Sequence, residues 1–150
     1  MASASPVNVI RTFFDAYRAR DVEAMVSACD EGAAFHYVPF EVWGKQRVLR
    51  GDGKVHGIGK VLWTGLIDSF PDLTNEVTSL HADEDGNVSA EVTIGGTQAK
   101  VWGTIESRGN RFDVRHLFLF HVSGEGRIDK VSAYWDGAEM NRQLGRVEID

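Results

Sequence analysis

The chain has 150 residues, 43% apolar and 25% charged, enough for a single domain over 1–150 with its own core. A net charge of -6 and a pI near 5.3, with only short basic runs at 18–20 and 45–50, argue against nucleic acid or anionic membrane as a partner. One cysteine, Cys29, permits no internal disulfide and too few thiolates for structural zinc; with no leader-like segment and no long apolar run, the expectation is a cytoplasmic protein. The unusual entry is aromatic: eight Phe, four Trp and three Tyr must either fill a core or also line a pocket.

Ser5-Pro6 is an N-cap followed by proline at the first helical position, and Ile10, Phe13, Phe14 and Tyr17 recur at i, i+3, i+4, i+7, which predicts an amphipathic helix. Asp21 caps a second helix, with Val22, Met25, Val26 and Cys29 on its buried face. Residues 33–38 form a strand candidate, and the glycine- and charge-rich stretch 39–57 reads as a long loop or lid, with Gly51-Asp52-Gly53 at the mouth of a cavity and no phosphate-binding pattern. Ile58, Leu62, Leu66 and Phe70 predict a third helix that stops before Pro71. Thereafter the period is two, with strands expected at 73–81, 88–94, 98–106, 111–122 and 127–135, joined by short turns as an antiparallel meander. The strand 111–122 is apolar on both faces, so helices should cover one and a second subunit the other. Tyr134-Trp135-Asp136 ends the last strand, and Asp136-x-x-Glu139 opens a short helix containing Met140 and Leu144 that stops at Gly145. The order of elements is an α+β layer arrangement.

These residues resemble a known family, the SnoaL-like polyketide cyclases of the nuclear-transport-factor-2-like superfamily. The carriers are Phe13-Phe14-x-x-Tyr17, Gly57 leading into a helix that ends Phe70-Pro71-Asp72-Leu73, Gly95-Gly96-Thr97 after a strand, Gly126-Arg127-Ile128, and Tyr134-Trp135-Asp136 running to Gln143-Leu144-Gly145. The resemblance implies a cone-shaped, curved antiparallel sheet wrapped on N-terminal helices, a hydrophobic ligand inside and a homodimer. It also implies an aspartate at the end of the last strand acting as general acid/base for aldol ring closure without metal or cofactor, here Asp136. A histidine on the preceding strand accompanies that aspartate, here His121 or His116. The superfamily also holds ketosteroid isomerases, epoxide hydrolases and non-catalytic members; the strands show no clear Arg-x-Asp motif of the hydrolase kind.

Two readings of Asp136 stand side by side. A carboxylate in an apolar cavity has a raised pKa and can take a proton alpha to a carbonyl, whereas an N-cap carboxylate accepts backbone N–H bonds that lower it. His116 and His121 are five residues apart on one strand and face opposite ways, so at most one faces a pocket. Tyr17, His36, Trp63, Trp135 and Phe118 are the candidate ligand contacts, each with core or surface packing as its alternative; Trp43 and Trp102 read as packing. No histidine or cysteine spacing suggests a metal site, and no cofactor is expected. The function expected is a cofactor-independent cyclase or isomerase acting on a small hydrophobic carbonyl compound. The alternatives are a non-catalytic binder of such a molecule, or an enzyme like the epoxide hydrolases or ketosteroid isomerases.

Overall fold

A computed structural model describes residues 5–43, 45, 46 and 48–146. Gly44, Arg47 and the side chain of Trp43, for which core packing is expected, lie outside the described residues. Helix α1 (Pro6–Arg18) begins as its cap predicts, Ser5 Oγ accepting from Asn8 N at 3.2 Å, and buries Ile10, Phe13, Phe14 and Tyr17 on one face. Helix α2 (Val22–Ser27) starts at Asp21, whose carboxylate accepts from Ala24 N at 3.0 Å, and Cys29 follows it into the core.

The stretch expected to be a short strand and then a lid is instead a long edge hairpin of β1 (Cys29–Trp43) and β2 (Val48–Lys54), antiparallel to each other. Its glycines and charges disguise it. Gly51 lies where a Cβ would come within 2.6 Å of the Tyr37 carbonyl oxygen, while Arg50, Asp52 and Lys54 face solvent along the sheet edge. A π-helical turn at Val55–Gly59 then leads into α3 (Lys60–Ser69), which stops before Pro71.

Strands β3 (Thr74–Ala82), β4 (Asn87–Thr97), β5 (Arg111–Val122) and β6 (Ile128–Trp135) follow, and α4 (Gly137–Gln143) closes the described chain. The strand expected at 98–106 does not form; the segment is a loop pinched by a bridge between Trp102 and Ile105. Gln98 is buried, and its amide donates to the carbonyls of Lys100 (3.1 Å) and Ile105 (2.7 Å). Ser69 takes two more groups, its Oγ donating to Val101 O at 2.9 Å and its carbonyl accepting from Ala99 N at 2.8 Å. These bonds occupy backbone groups that a strand would offer a neighbour, so the alternating pattern is overridden.

The sheet is curved and unclosed, in the order β2-β1-β6-β5-β4-β3. The expected antiparallel sheet is corrected to a mixed one, because the last strand inserts beside the first and runs parallel to it. Arg127 fastens that pairing: its Nε donates to the Asp30 carboxylate (2.9 Å), and its Nη2 to the carbonyls of Ser27 (2.9 Å) and Cys29 (2.8 Å). Along β5 the even-numbered side chains from Phe112 to Val122 are buried and the odd-numbered ones face outward, with Leu117 41% and Leu119 37% exposed. Helix α1 covers the buried face, Phe13 meeting Phe120 at 5.4 Å and Phe14 meeting Phe118 at 5.3 Å, both edge-on. Among the described residues no helix is long and apolar enough to cross a membrane.

Phe13 is fully buried among Phe14, Tyr17, Trp63 and Phe120. Phe13→Ala should therefore cost about 3–5 kcal/mol of stability in urea unfolding, and Phe13→Leu clearly less.

Candidate functional site

Between α1, α3 and the inner face of the sheet lies a small apolar cavity of ≈ 20 Å³. Five elements build its wall: Tyr17 comes from α1, Tyr37 from β1, Leu62 and Leu66 from α3, Ile94 from β4, and Phe112 and His116 from β5. Trp135 at the end of β6 and Met140 on α4 close one side, and Trp102 closes another from the 98–110 loop, packed on Phe40 at 5.5 Å and Phe70 at 6.2 Å. Three larger depressions, ≈ 550 Å³ along α1 and β3, ≈ 410 Å³ beside the β3–β4 turn and ≈ 250 Å³ between the 98–110 loop and the end of α4, hold none of the candidate residues.

His116 is the titratable group of this cavity that burial changes most usefully. It is 7% exposed and stacks on Trp135, ring centroids 5.2 Å apart and planes 19° from parallel. Its Nδ1 lies 2.9 Å from the Val114 carbonyl, which can only accept; Nδ1 therefore carries the proton and Nε2 is the basic nitrogen. Burial away from water pushes the pKa down to about 4, so the ring is neutral at pH 7.

Tyr17 is 1% exposed, and among the described residues its hydroxyl makes no hydrogen bond. Tyr37 beside it accepts a 2.6 Å bond from Trp63 Nε1. Burial pushes both phenols up, and the two hydroxyls sense each other without the geometry of a formed bond.

The remaining expected residues sort differently. Asp136 is exposed and caps α4, its carboxylate accepting from Glu139 N at 3.0 Å; it does not line the cavity, so the geometry favours the capping reading. The sheet period explains this: Trp135 points inward, and the chain leaves the strand before the next inward position. His121 sits on the opposite face from His116, its Nδ1 2.7 Å from the Asp129 carboxylate and its Nε2 2.8 Å from the Asp85 carbonyl. Both partners accept, so both ring nitrogens must be protonated; the Asp129 bond and the Asp85 bond hold the pKa up, and the ring fastens the β3–β4 turn. His36 pairs with Asp52 at 2.9 Å, largely exposed, away from the cavity. Trp63 and Phe118 stand one layer behind the wall, Trp63 donating to Tyr37 and Phe118 packed on it at 6.0 Å.

Tyr37 escaped the sequence reading although the alternation of 33–38 already put Phe35 and Tyr37 on one face. Trp102 was hidden by the strand assigned to its loop.

Of the resemblance-bearing motifs, two place a residue in the cavity wall, Tyr17 and Trp135, and the others frame it. Asp72 Oδ1 accepts from Thr97 N at 2.7 Å, and Gly95 is needed because a Cβ there would come within 2.8 Å of the Phe112 carbonyl oxygen. Gln143 pairs with the Asp113 backbone as a strand would, accepting from N at 2.7 Å and donating to O at 3.2 Å, which docks α4 beyond the end of β6. An Arg-x-Asp spacing does occur, at Arg111 and Asp113, contrary to the sequence reading. Both side chains face solvent and bind each other at 3.1 Å, outside the cavity. Among the described residues no three or more His, Cys, Asp or Glu side chains converge to hold a metal ion.

A family model described as a SnoaL-like domain matches residues 10–131. No curated protein matches the sequence. Similar solved structures include AclR of Streptomyces galilaeus, a candidate hydroxylase, with TM-score 0.77, 15% identity and coverage of 95% of this chain and 97% of that one. Wild-type IdmH of Streptomyces antibioticus, a candidate polyketide cyclase, gives TM-score 0.75 and 21% identity over 95% and 99% of the two chains. An LEH-like epoxide hydrolase of M. tuberculosis gives 0.65 and 17% over 93% and 88%. The structural likenesses establish a shared nuclear-transport-factor-2-like fold, and the family match over most of its length shows that this chain belongs to the SnoaL-like domain family.

Proposed function

We propose that the protein is a cofactor-independent cyclase or isomerase that moves a proton on a small hydrophobic carbonyl compound of polyketide type. The observation that carries this reading is one enclosure holding a neutral imidazole and an unpartnered hydroxyl in otherwise apolar walls. His116 Nε2 takes the proton alpha to a carbonyl, and the C–H electron pair passes into the enolate. The Tyr17 hydroxyl donates to the enolate oxygen as charge develops there. In a cyclisation the enolate carbon then attacks a second carbonyl, and the imidazolium returns its proton to the new alkoxide. In an isomerisation the proton returns to a different carbon. A base with pKa about 4 is weak, yet ketosteroid isomerase works with one of about 4.6 because its enolate is hydrogen-bonded. The cavity of ≈ 20 Å³ has room for about one water, so substrate access requires the Trp102 loop to swing aside. That loop takes the lid role the sequence reading gave to 39–57.

With hydrophobic β-dicarbonyl compounds as substrates, exchange of the alpha proton for deuterium, followed by NMR, reports the first step. His116→Gln should slow it by about 10²–10⁴-fold. Asp136→Asn, which still caps the helix, should leave it near the unmodified rate. The reverse order would return the catalytic role to the carboxylate. Binding of these compounds without exchange would make the protein a ligand carrier.

The depressed His116 pKa also sets a sign for stability. The unfolded chain, with an ordinary histidine near 6.5, binds a proton that the folded state refuses until about pH 4. Stability is therefore lost as pH falls from about 6.5 towards 4, by about 1.4 kcal/mol per pH unit from this group. His116→Gln should flatten urea-derived stability across that window relative to the unmodified protein.

We further propose a cytoplasmic homodimer formed by the outer sheet face. Tyr134 (42% exposed) pairs with Leu117 (41%) on β5 and with Val38 (44%) on β1, and Leu119 lies next along the strand, an apolar patch suited to an isologous contact. Sedimentation equilibrium should give twice 16.6 kDa at micromolar concentration, and Leu117→Glu should halve it; a monomer in the unmodified protein overturns the proposal.

A further inference from the structure

A base that takes a proton becomes a cation, and the surroundings of His116 oppose one. No Asp, Glu, Lys or Arg lines the cavity, and the other titratable groups in its wall, Tyr17 from α1 and Tyr37 from β1, are phenols that burial keeps neutral. Asp136, next to the wall in sequence, commits its carboxylate to the Glu139 N–H and faces away. The Val114 carbonyl serves Nδ1, and among the described residues the ring makes no other hydrogen bond. What faces the ring is an indole. Trp135 is the register partner of His116 across β5 and β6, and the two rings stack with centroids 5.2 Å apart and planes 19° from parallel. Phe118 lies more nearly parallel than edge-on as well, but at 6.1 Å it sits just outside the roughly 6 Å over which a ring face attracts a cation, and indole is the stronger partner. The indole is itself held in place. Tyr37 meets it edge-on at 5.6 Å, and Tyr37 is fixed by stacking on Phe35 at 4.4 Å and by the 2.6 Å bond from Trp63 Nε1.

We propose that Trp135 is the positioning residue of the site, its indole face holding the His116 imidazole in place and stabilising the imidazolium formed when Nε2 takes the substrate's proton. The attraction is between the ring quadrupole and a full positive charge, so it is much weaker while the imidazole is neutral and grows as the proton arrives. In that step the C–H electron pair moves to the enolate oxygen, the proton moves to Nε2, and the positive charge spreads over a ring whose face already lies against the indole. A carboxylate in the same place would hold the imidazolium too well and keep the base protonated at rest. An indole face leaves the resting base neutral and still assists the transfer.

This inference rests on His116 being the base of the proposed reaction, and the test reads the two separately. At about pH 5 a group that titrates at about 4 is protonated in roughly one molecule in ten, and the Nε2 chemical shift of isotopically labelled protein reports that fraction without any substrate. Tetrafluorotryptophan introduced at position 135 keeps the shape of the indole and withdraws electron density from its face. It should lower the protonated fraction about 3–10-fold and slow deuterium exchange into the β-dicarbonyl compounds by a comparable factor. Trp135→Phe, which keeps a ring face, should retain part of both. A merely structural role would change the melting temperature and leave the protonated fraction of the isosteric protein where it was. Should the tetrafluoro protein fail to fold, the monofluoro side chain decides, with values expected between the two. A protonated fraction that fluorination leaves unchanged overturns the proposal, as does a lowered fraction with unaltered exchange, because Trp135 then has no part in the reaction. Absence of exchange in the unmodified protein overturns the enzymatic reading, and a fall in the fraction on fluorination still shows the indole face stabilising the imidazolium.

Discussion

A curved sheet leaves a concave face that something must fill, and here the filling is the aromatic stripe of α1. Phe13 and Phe14 meet Phe118 and Phe120 edge-on, so the helix is held at a fixed height and rotation over β5. One turn further on, the same stripe delivers Tyr17 beyond the packed region and against the cavity. The rest of the site inherits its geometry from this seating. His116 is two residues before Phe118 on the same face of the strand, and Trp135 is its register partner on β6. The packing of α1 on β5 therefore also sets the spacing of Tyr17, His116 and Trp135 around the cavity.

Much of this was legible from the residues. A seven-residue apolar period fixes α1 and its buried face, and the alternation in β5 by itself separates His116 from His121. Two segments were not legible. The hairpin of β1 and β2 carries glycines and charges because it is a sheet edge, and local composition cannot distinguish an edge strand from a loop. The 98–106 segment alternates like a strand, but Gln98 and Ser69 claim its backbone groups through contacts over as many as 32 residues, which no local pattern contains. The parallel seam between β1 and β6 was invisible for the same reason: Arg127 reaches back about a hundred residues to make it. At Asp136 the sequence offered two chemically sound roles, and the side chain's direction, set by where β6 ends, separates them.

The motifs that carry the family resemblance have a common physical character. Asp72 on Thr97, Gln143 on Asp113 and Arg127 on the α2–β1 junction each satisfy backbone groups at places where regular structure stops. They specify how the layers are joined, and they say little about what the cavity accepts. The wall residues Tyr37, Phe112, Trp102 and Met140 belong to none of those motifs. Joining of the layers and lining of the cavity thus draw on largely different positions, Tyr17 and Trp135 being shared, and proteins at 15–21% identity can have the same fold with different linings.

The loop that carries Trp102 closes its hydrogen bonds largely on itself and on the end of α3, through Gln98, Ser69 and the bridge from Trp102 to Ile105. It draws few of them from the sheet. Such a segment behaves as an exchangeable panel: its length and side chains can change while the strands on either side keep their register. Selection acting on this one stretch can re-cut that side of the cavity, and with it the cavity's size and shape, at little cost to the stability of the body that holds His116 and Tyr17.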